Sequence, residues 1–430
     1  MSVIRLRESQ QNSLDWLLQT AYTAWRLFVK NELLNHAAAT TFYFLLSAAP
    51  LVLLLTYGAQ YLAQLAETSS LASMLLAALY DQFKLEQLAT LGLIPQKTAI
   101  TAGGVGLLTL LLSSRGLVNA LQSAFRVIFP DDAKRNFVFK WVLPLIIIPV
   151  AFALVGLTVA TQAVINFLAS VELLGAGRIH LFNGLNLLVR LGLVWGLLYI
   201  VLHRMPLRHP PRLPTFIVSG LATFSLSLLY LGFGHFFHIE KYQAVYGALG
   251  GVVFILIGAF IACLTFYFWA QFLYALTKVD VAALEKLFLG SGEGANKLDG
   301  IVFGRANRLL AKYGRTFAAG ETLIREGDTS SEAFFLYSGK VGLFKDIGGH
   351  EKRLGEPGKS VLAEGELFGE MAYLLNEHRT ATVRAETEVT ALVLPPEMLE
   401  ELMHYSAPLA RRIVGSLATR LMRMNQAAQG

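Results

Sequence analysis

Long apolar stretches alternate with short polar ones over the first 277 residues, and then the alternation stops. Six stretches are long enough for a bilayer core, which takes roughly 20 apolar residues in helical form: 37–62, 98–128, 137–168, 181–202, 214–236 and 246–277. The longest are expected to tilt or to run beyond the hydrocarbon. Between the first and second, residues 71–91 are shorter and carry Asp81, Lys84 and Glu86. They predict an amphipathic helix on the outer surface rather than a seventh span. Past Lys278 the glycines Gly290, Gly292, Gly294 and Gly300 predict a flexible linker, followed by a short helix near 307–313. From Phe317 onward, short apolar runs are broken by turn residues at 320–321, 327–328, 338–339 and 348–349, the spacing of a small antiparallel β-roll. Pro395 and Pro396 end the strands. Residues 398–424 predict one helix with Leu402, Leu409, Ile413, Leu417 and Leu421 on a single face.

The expected fold is therefore a membrane all-α bundle of six transmembrane helices joined to a cytoplasmic β-roll, or jelly-roll, with flanking helices. The boundaries read as an N-terminal segment 1–36, a membrane domain 37–277, a linker 278–299 and a C-terminal domain 300–430.

Composition sharpens that division. Only 15% of the 430 residues are charged and 54% are hydrophobic, against about a quarter charged in an ordinary soluble protein. Residues 1–277 hold 17 Lys/Arg and 10 Asp/Glu, a net +7 (17 − 10); residues 278–430 hold 19 and 20, a net −1 (19 − 20). The basic excess sits in short loops between apolar segments, which suits membrane orientation better than nucleic acid, and no nucleic-acid partner is expected. Arg5, Arg7, Arg26 and Lys30 precede the first span; Arg126, Lys134, Arg135 and Lys140 follow the second; Arg204, Arg208 and Arg212 follow the fourth. The opposite side offers Lys84 and Lys97, then Arg178, then Lys241. Both termini are thus expected in the cytoplasm. Cys263 is the sole cysteine, so no intrachain disulfide or thiolate cluster can form. The first 30 residues lack an apolar stretch with a small-residue cleavage site, and no removable signal is expected.

The strongest chemical signal is FGEMAYLLNEHRTATVRA, residues 368–385. Gly369 permits a tight turn from Phe368 into a short helix. The backbone N–H groups of Glu370, Met371 and Ala372 then converge on one anion position. Arg379 adds a charge-assisted hydrogen bond, Thr380 a hydroxyl just before Ala381, and Glu370 an acceptor for a sugar hydroxyl. Val361 and Leu362 offer apolar walls for a flat base. Over 317–424 this part resembles the cyclic-nucleotide-binding domain family, in FAAGETLIREGD (317–328), FFLYSGKVGLF (334–344), FGEMA and RTATVRA. The resemblance implies that Gly369 and Glu370 hold the ribose and Arg379 the cyclic phosphate. Thr380 leans toward cGMP, as the resemblance implies, with cAMP still open. The competing reading is a roll that has lost its ligand, against which every central cassette position is intact. In the family picture the final helix is a lid. No helix-turn-helix unit follows it, which points away from a transcription regulator.

In the membrane part, LNHAAATTFYFLLSAAPLVLLL (34–55), SSRGLVNALQSAF (113–125) and VYGALGGVVFILIGAFIAC (245–263) resemble the YihY/BrkB family of bacterial inner-membrane proteins, once labelled ribonuclease BN. That resemblance spans roughly 15–277 and implies an envelope or transport role. Where the family often has Gly-Ala-Glu, this chain has Trp269-Ala270-Gln271, so the role of that acid does not carry over. The residues add their own constraint. Every carboxylate between 37 and 277 lies in an expected loop: Glu67, Asp81, Glu86, Asp131, Asp132, Glu172 and Glu240. Away from the span ends, only Arg115 and Arg190 fall within spans, and cations there suggest an anionic ligand, such as a lipid headgroup or a phosphate-bearing substrate. The alternatives are that Arg115 snorkels to the interface and that Arg190 pairs with backbone carbonyls. Pro50, Pro144 and Pro149 predict kinks, and the glycines at 103, 104, 106, 247, 250 and 251 predict close helix contact. His235 and His238 share a helix face, too few ligands for a metal.

Three functions compete. The first is a cyclic-nucleotide-regulated inner-membrane protein that transports or senses an anionic or lipidic molecule, with oligomers open. The second is a cyclic-nucleotide-gated ion channel. Against it, no arginine-repeat helix or Thr-Val-Gly-Tyr-Gly filter loop is present, and 238–244 is too short for a re-entrant pore helix. The third is a membrane ribonuclease, for which no metal cluster or nucleophile–base pair is readable. The protein is expected not to be an enzyme.

Overall fold

The computed structural model describes residues 2–67, 69–83, 115–130, 156–164, 176–236, 250–289, 297–304, 306–347, 350–354, 362, 364–415 and 418. The chain divides into two compact units. Residues 24–274 form one; residues 1–23 and 275–430 form the other. Two helices, α1 (Ser2–Lys30) and the much later α8 (Gly250–Leu289), contribute residues to both.

In the first unit, α2 (Leu33–Ala66) covers the first expected span and carries Pro50 in its interior. Next come α3 (Ser70–Phe83), α4 (115–128), α5 (156–164), α6 (Ala176–Arg204) and α7 (Arg212–Phe236), before α8. Among the described residues, three stretches are long and apolar enough to cross a membrane: Asn186–Arg204 in α6, Arg212–Phe233 in α7 and Val252–Leu289 in α8. Their large apolar side chains point outward; Leu188, Phe224, Tyr230 and Leu231 are all at least 66% exposed. A helix that offers Leu and Phe on its outer face suits hydrocarbon, not water. Most of the second and third expected spans lies outside the described residues, apart from α4 and α5. The segment expected at the outer surface begins as α3, which packs Met74, Leu75, Leu76 and Ala78 against Ala59 and Leu62 of α2 and Val159 and Ala163 of α5.

Hydroxyl and indole groups tie these helices together. The hydroxyls of Thr40 and Tyr267 are 2.5 Å apart, the Trp195 Nε1–H donates to Ser219 Oγ at 2.9 Å, and the Trp269 Nε1–H donates to Ser225 Oγ at 3.1 Å. Gln271 is fully buried, and its Oε1 accepts from Asn31 Nδ2 at 3.0 Å. Asn31 also donates to the Val127 carbonyl, so one side chain spans three segments.

The second unit contains two four-stranded antiparallel sheets, ordered β1-β8-β3-β6 and β2-β7-β4-β5. The strands are β1 (Gly314–Phe317), β2 (Thr322–Ile324), β3 (Ala333–Ser338), β4 (Val341–Ile347), β5 (His350–Leu354), β6 (Leu367–Phe368), β7 (Thr382–Ala385) and β8 (Val389–Leu394). Two short helices, α9 (Lys297–Phe303) and α10 (Asn307–Tyr313), precede them. Strands β3 and β8 show no polar alternation because both of their faces are covered. Phe334, Leu336, Val389, Ala391 and Val393 face the other sheet. Ala333, Phe335, Leu392 and Leu394 instead meet helices.

Those helices correct two expectations. Residues 278–289 were expected as flexible linker, but they are the last three turns of α8. Val281, Leu284 and Phe288, spaced to share one helix face, are buried against Phe335, Leu392 and Leu394, with Phe288 and Phe335 edge to face at 4.5 Å. A segment that buries such a stripe is core, not tether. The single expected helix over 398–424 is broken: α12 (Pro396–Tyr405) stops at Ser406, which is extended (φ −126, ψ 100), and α13 covers 407–415. Pro408 accounts for the break, since in a continuous helix it would have no N–H to donate to the His404 carbonyl and its ring would clash with it, whereas the first turn of a new helix tolerates it. Ser406 Oγ accepts from the Leu409 N–H as the new helix starts. Leu417 and Leu421 lie outside the described residues. Arg412 of α13 donates to the Phe288 carbonyl and so caps the end of α8. The N-terminal residues join this unit as well. Tyr22 Oη donates to Asp299 Oδ1 at 2.7 Å, and Lys286 Nζ donates to Asp299 Oδ2 at 2.6 Å.

Candidate functional site

Strand β6 ends at Phe368, which is buried and stacked on Phe334 with ring centroids 5.4 Å apart. The chain then turns at Gly369 into a six-residue helix, α11 (Glu370–Leu375). Gly369 has φ +76, and a Cβ there would stand 2.7 Å from Arg379 Nη1 and 2.9 Å from Ile324 Cδ1. Only glycine meets both the backbone and the space requirement. No side chain caps the first turn of α11. Glu370 is 1% exposed and Ala372 is buried, while Met371 is half-buried.

Arg379 is brought to this turn by a two-way backbone exchange: its N–H donates to the Asp328 carbonyl at 3.0 Å and its carbonyl accepts from the Gly327 N–H at 2.9 Å. The side chain is 4% exposed. Its Nε donates to Ser330 Oγ at 3.1 Å, Nη2 to the Glu332 carbonyl at 2.6 Å, and Nη1 to the Gly369 carbonyl. A guanidinium has five N–H groups: one on Nε and two on each terminal nitrogen. Three are used, so among the described residues one N–H remains on each terminal nitrogen. That pair is the fork a phosphate accepts with two oxygens. Burial lowers the guanidinium's proton affinity below its ordinary value, while the carboxylates of Glu332, Asp328 and Glu370 act in the opposite direction. An anion on the fork would offset the same cost of burial.

The other expected site residues fall as follows. Thr380 is exposed and Ala381 is half-buried. Leu362 is buried in the core between the sheets, with Phe368 and Val383. Val361 lies outside the described residues. Sequence reasoning missed Ser330 and Glu332, which orient the Arg379 fork. Glu332 acts through its carbonyl, and no side-chain pattern could have announced it.

Arg115 is exposed at the start of α4. Arg190 is half-buried on α6, and its Nη2 donates to the Gln162 side-chain oxygen at 2.9 Å, not to a backbone carbonyl. No contact joins the two arginines among the described residues. Gly103, Gly104, Gly106, Pro144, Pro149, His238 and Gly247 lie outside those residues, among which no cluster of three metal-binding side chains occurs.

Residues 24–287, more than half of the chain, match the family described as Virulence factor BrkB. The chain belongs to the BrkB family. Residues 314–406 of this BrkB protein match the cyclic nucleotide-binding domain, and the Gly369–Arg379 cassette lies within the matched residues. A UPF0761 membrane protein of Alkalilimnicola ehrlichii is 26% identical over 301 residues, which are 64% of this chain and 62% of that one. The cyclic AMP receptor protein of Thermus thermophilus is 32% identical over 108 residues, 25% of this chain and 48% of the receptor. The crystal structure of the Thermus thermophilus catabolite activator protein shares 25% sequence identity and a TM-score of 0.27, covering 34% of this chain and 62% of that one. The BrkB chain spans between 8% and 62% of the lengths of the curated relatives it matches.

Proposed function

We propose that this BrkB-family protein is regulated by a cyclic nucleotide, cAMP or cGMP, and transports or senses an anionic or lipidic envelope molecule. In this proposal it crosses the bacterial inner membrane six times, keeps both termini in the cytoplasm and performs no catalytic step. The observation that carries the regulatory half is the Arg379 fork. The guanidinium is held by two carbonyls beside a turn that only glycine can make, and among the described residues one N–H is left over on each terminal nitrogen. A cyclic phosphate brings one negative charge and two free oxygens, which match that fork. The anionic half rests on Arg190, an intramembrane cation for which the described residues supply no carboxylate. An uncompensated charge at mid-membrane costs roughly 2.5–3.5 kcal/mol on insertion scales, so it is kept where it serves a ligand.

The test uses full-length protein in detergent, titrated with cAMP and with cGMP in a calorimeter. Saturable binding of one or both is expected. No heat from either at millimolar concentration would end the proposal. Anion flux or lipid transfer in liposomes, with and without nucleotide, then tests the membrane half separately.

A further inference from the structure

We propose that Arg190, Asn186 and Gln162 form a binding site for a phosphate group that carries a hydroxyl, deep in the apolar part of α6. This rests on the reading above that the membrane unit handles an anion, and it names the residues and the ligand chemistry. Arg190 stands 9 residues from the start and 12 from the end of the apolar stretch 181–202. At 1.5 Å per residue that is about 14 Å and about 18 Å, beyond the reach of a snorkelling side chain. Asn186 lies one turn earlier on the same face and is 7% exposed; Gln162 of α5 is 9% exposed.

Their hydrogen bonds determine what is missing. The Gln162 Oε1 accepts from Arg190 Nη2, and a guanidinium can only donate, so that atom is the amide oxygen. Asn186 makes its contact to the same oxygen, so it must present its NH₂ there. Its own oxygen is thereby turned away and buried, as is the Arg190 Nε–H, and among the described residues neither has a partner. The site thus offers one charged donor and one acceptor, with no compensating anion among the described residues. A carboxylate or sulfate could accept from the Arg190 N–H but has no O–H to donate to Asn186. A neutral alcohol could serve both groups but leaves the charge unbalanced. A phosphate monoester, through its P–OH, or a phosphodiester headgroup with a glycerol hydroxyl satisfies all three demands. A lipid headgroup and free phosphate both meet this description. Arg190 as a whole is half-buried, but its Nε and the Asn186 oxygen are buried, so a ligand reaches them only when neighbouring side chains move aside.

The experiment incubates purified full-length protein with radiolabelled phosphatidate in vesicles, phosphatidylcholine in matched vesicles, or orthophosphate, and measures what is retained. Wild type should retain phosphatidate or orthophosphate at least tenfold over phosphatidylcholine. R190Q should fall to the phosphatidylcholine level, and N186L should lose about tenfold. Phosphatidate retention that orthophosphate does not displace assigns the lipid headgroup; retention of orthophosphate alone assigns the free ion. A monodisperse gel-filtration peak and wild-type helical circular dichroism report that each variant is folded, and should R190Q fail to accumulate, N186L decides. Retention unchanged in the variants would mean that a water fills the gap, overturning this site while leaving an anion-handling unit. No retention by wild type would remove both.

Discussion

Replacing Arg379 separates charge from geometry at the nucleotide site. Arg379→Ala removes both leftover N–H groups. Hydrogen bonds to charged groups contribute roughly 1.5–3 kcal/mol each, and two give about 3–6 kcal/mol. The lower end applies, because water can partly replace the fork, so a loss of about 3 kcal/mol, or roughly 100-fold in Kd, is expected. Arg379→Lys keeps one positive charge but has no planar fork and no Nε to anchor on Ser330. It should lose about half as much, roughly tenfold. The carbonyls of Gly369 and Glu332 lose their donor in the Ala variant, but both residues are only half-buried and water can reach them. Folding should therefore survive, which near-wild-type thermal melting would show. The assay is calorimetric titration of the full-length protein with cAMP and cGMP. A Kd within threefold of wild type for Arg379→Ala would refute the claim that this guanidinium holds the phosphate.

Two further substitutions probe the surroundings. Gly369→Ala places a methyl group 2.7 Å from Arg379 Nη1 at a φ that costs about 1–2 kcal/mol for an L-residue. Nucleotide affinity should fall at least tenfold while the membrane helices, followed by circular dichroism, stay intact. Phe288→Ala empties the space against Phe335 and should cost about 3–5 kcal/mol. The melting transition of the nucleotide-binding unit should drop markedly; a flexible linker residue would show no change.

Much of the tail was legible because its turns are marked by glycine. The strand core was harder to read. β3 and β8 are covered on both faces and lack alternation, so only the turns around them gave their positions. Residues 278–289 were misread for a physical reason. Lys278, Asp280, Glu285 and Lys286 end an apolar run and glycines follow, which resembles the start of a linker. The stripe Val281, Leu284, Phe288 was present but needed a partner surface to be recognised. At the site, Gly369, Glu370 and Arg379 announced themselves by residue type. The groups that aim the guanidinium are mostly carbonyls, and every residue has one. Gln162 and Asn186 are uncharged amides in apolar helices, and only their meeting at Arg190 distinguishes them.

The continuity of α8 bears on how a nucleotide could be felt. Tyr373 and Leu374 of α11 pack on the same core that holds Leu284 and Phe288 of α8. A ligand that shifts α11 must therefore repack the end of α8. Coupling between sites needs only a difference in affinity between two states, typically 1–3 kcal/mol. A helix passes such a shift along unless a Pro, a glycine or a bulge absorbs it, and from Ala259 to Leu289 the sequence contains neither glycine nor proline. Substituting Leu276 and Thr277 together by glycine would create the missing soft point, at about 1 kcal/mol per residue. Cys263, the sole thiol, lies half-buried on α8 and can report the effect through its rate of labelling by a membrane-permeant maleimide. Nucleotide should change that rate in wild type. In the double-glycine variant nucleotide should still bind, its affinity changed by no more than the coupling itself, and leave the rate alone. A variant that still transmits the change would show that α8 is not the path, and a wild type with no change would show that there is no signal for it to carry.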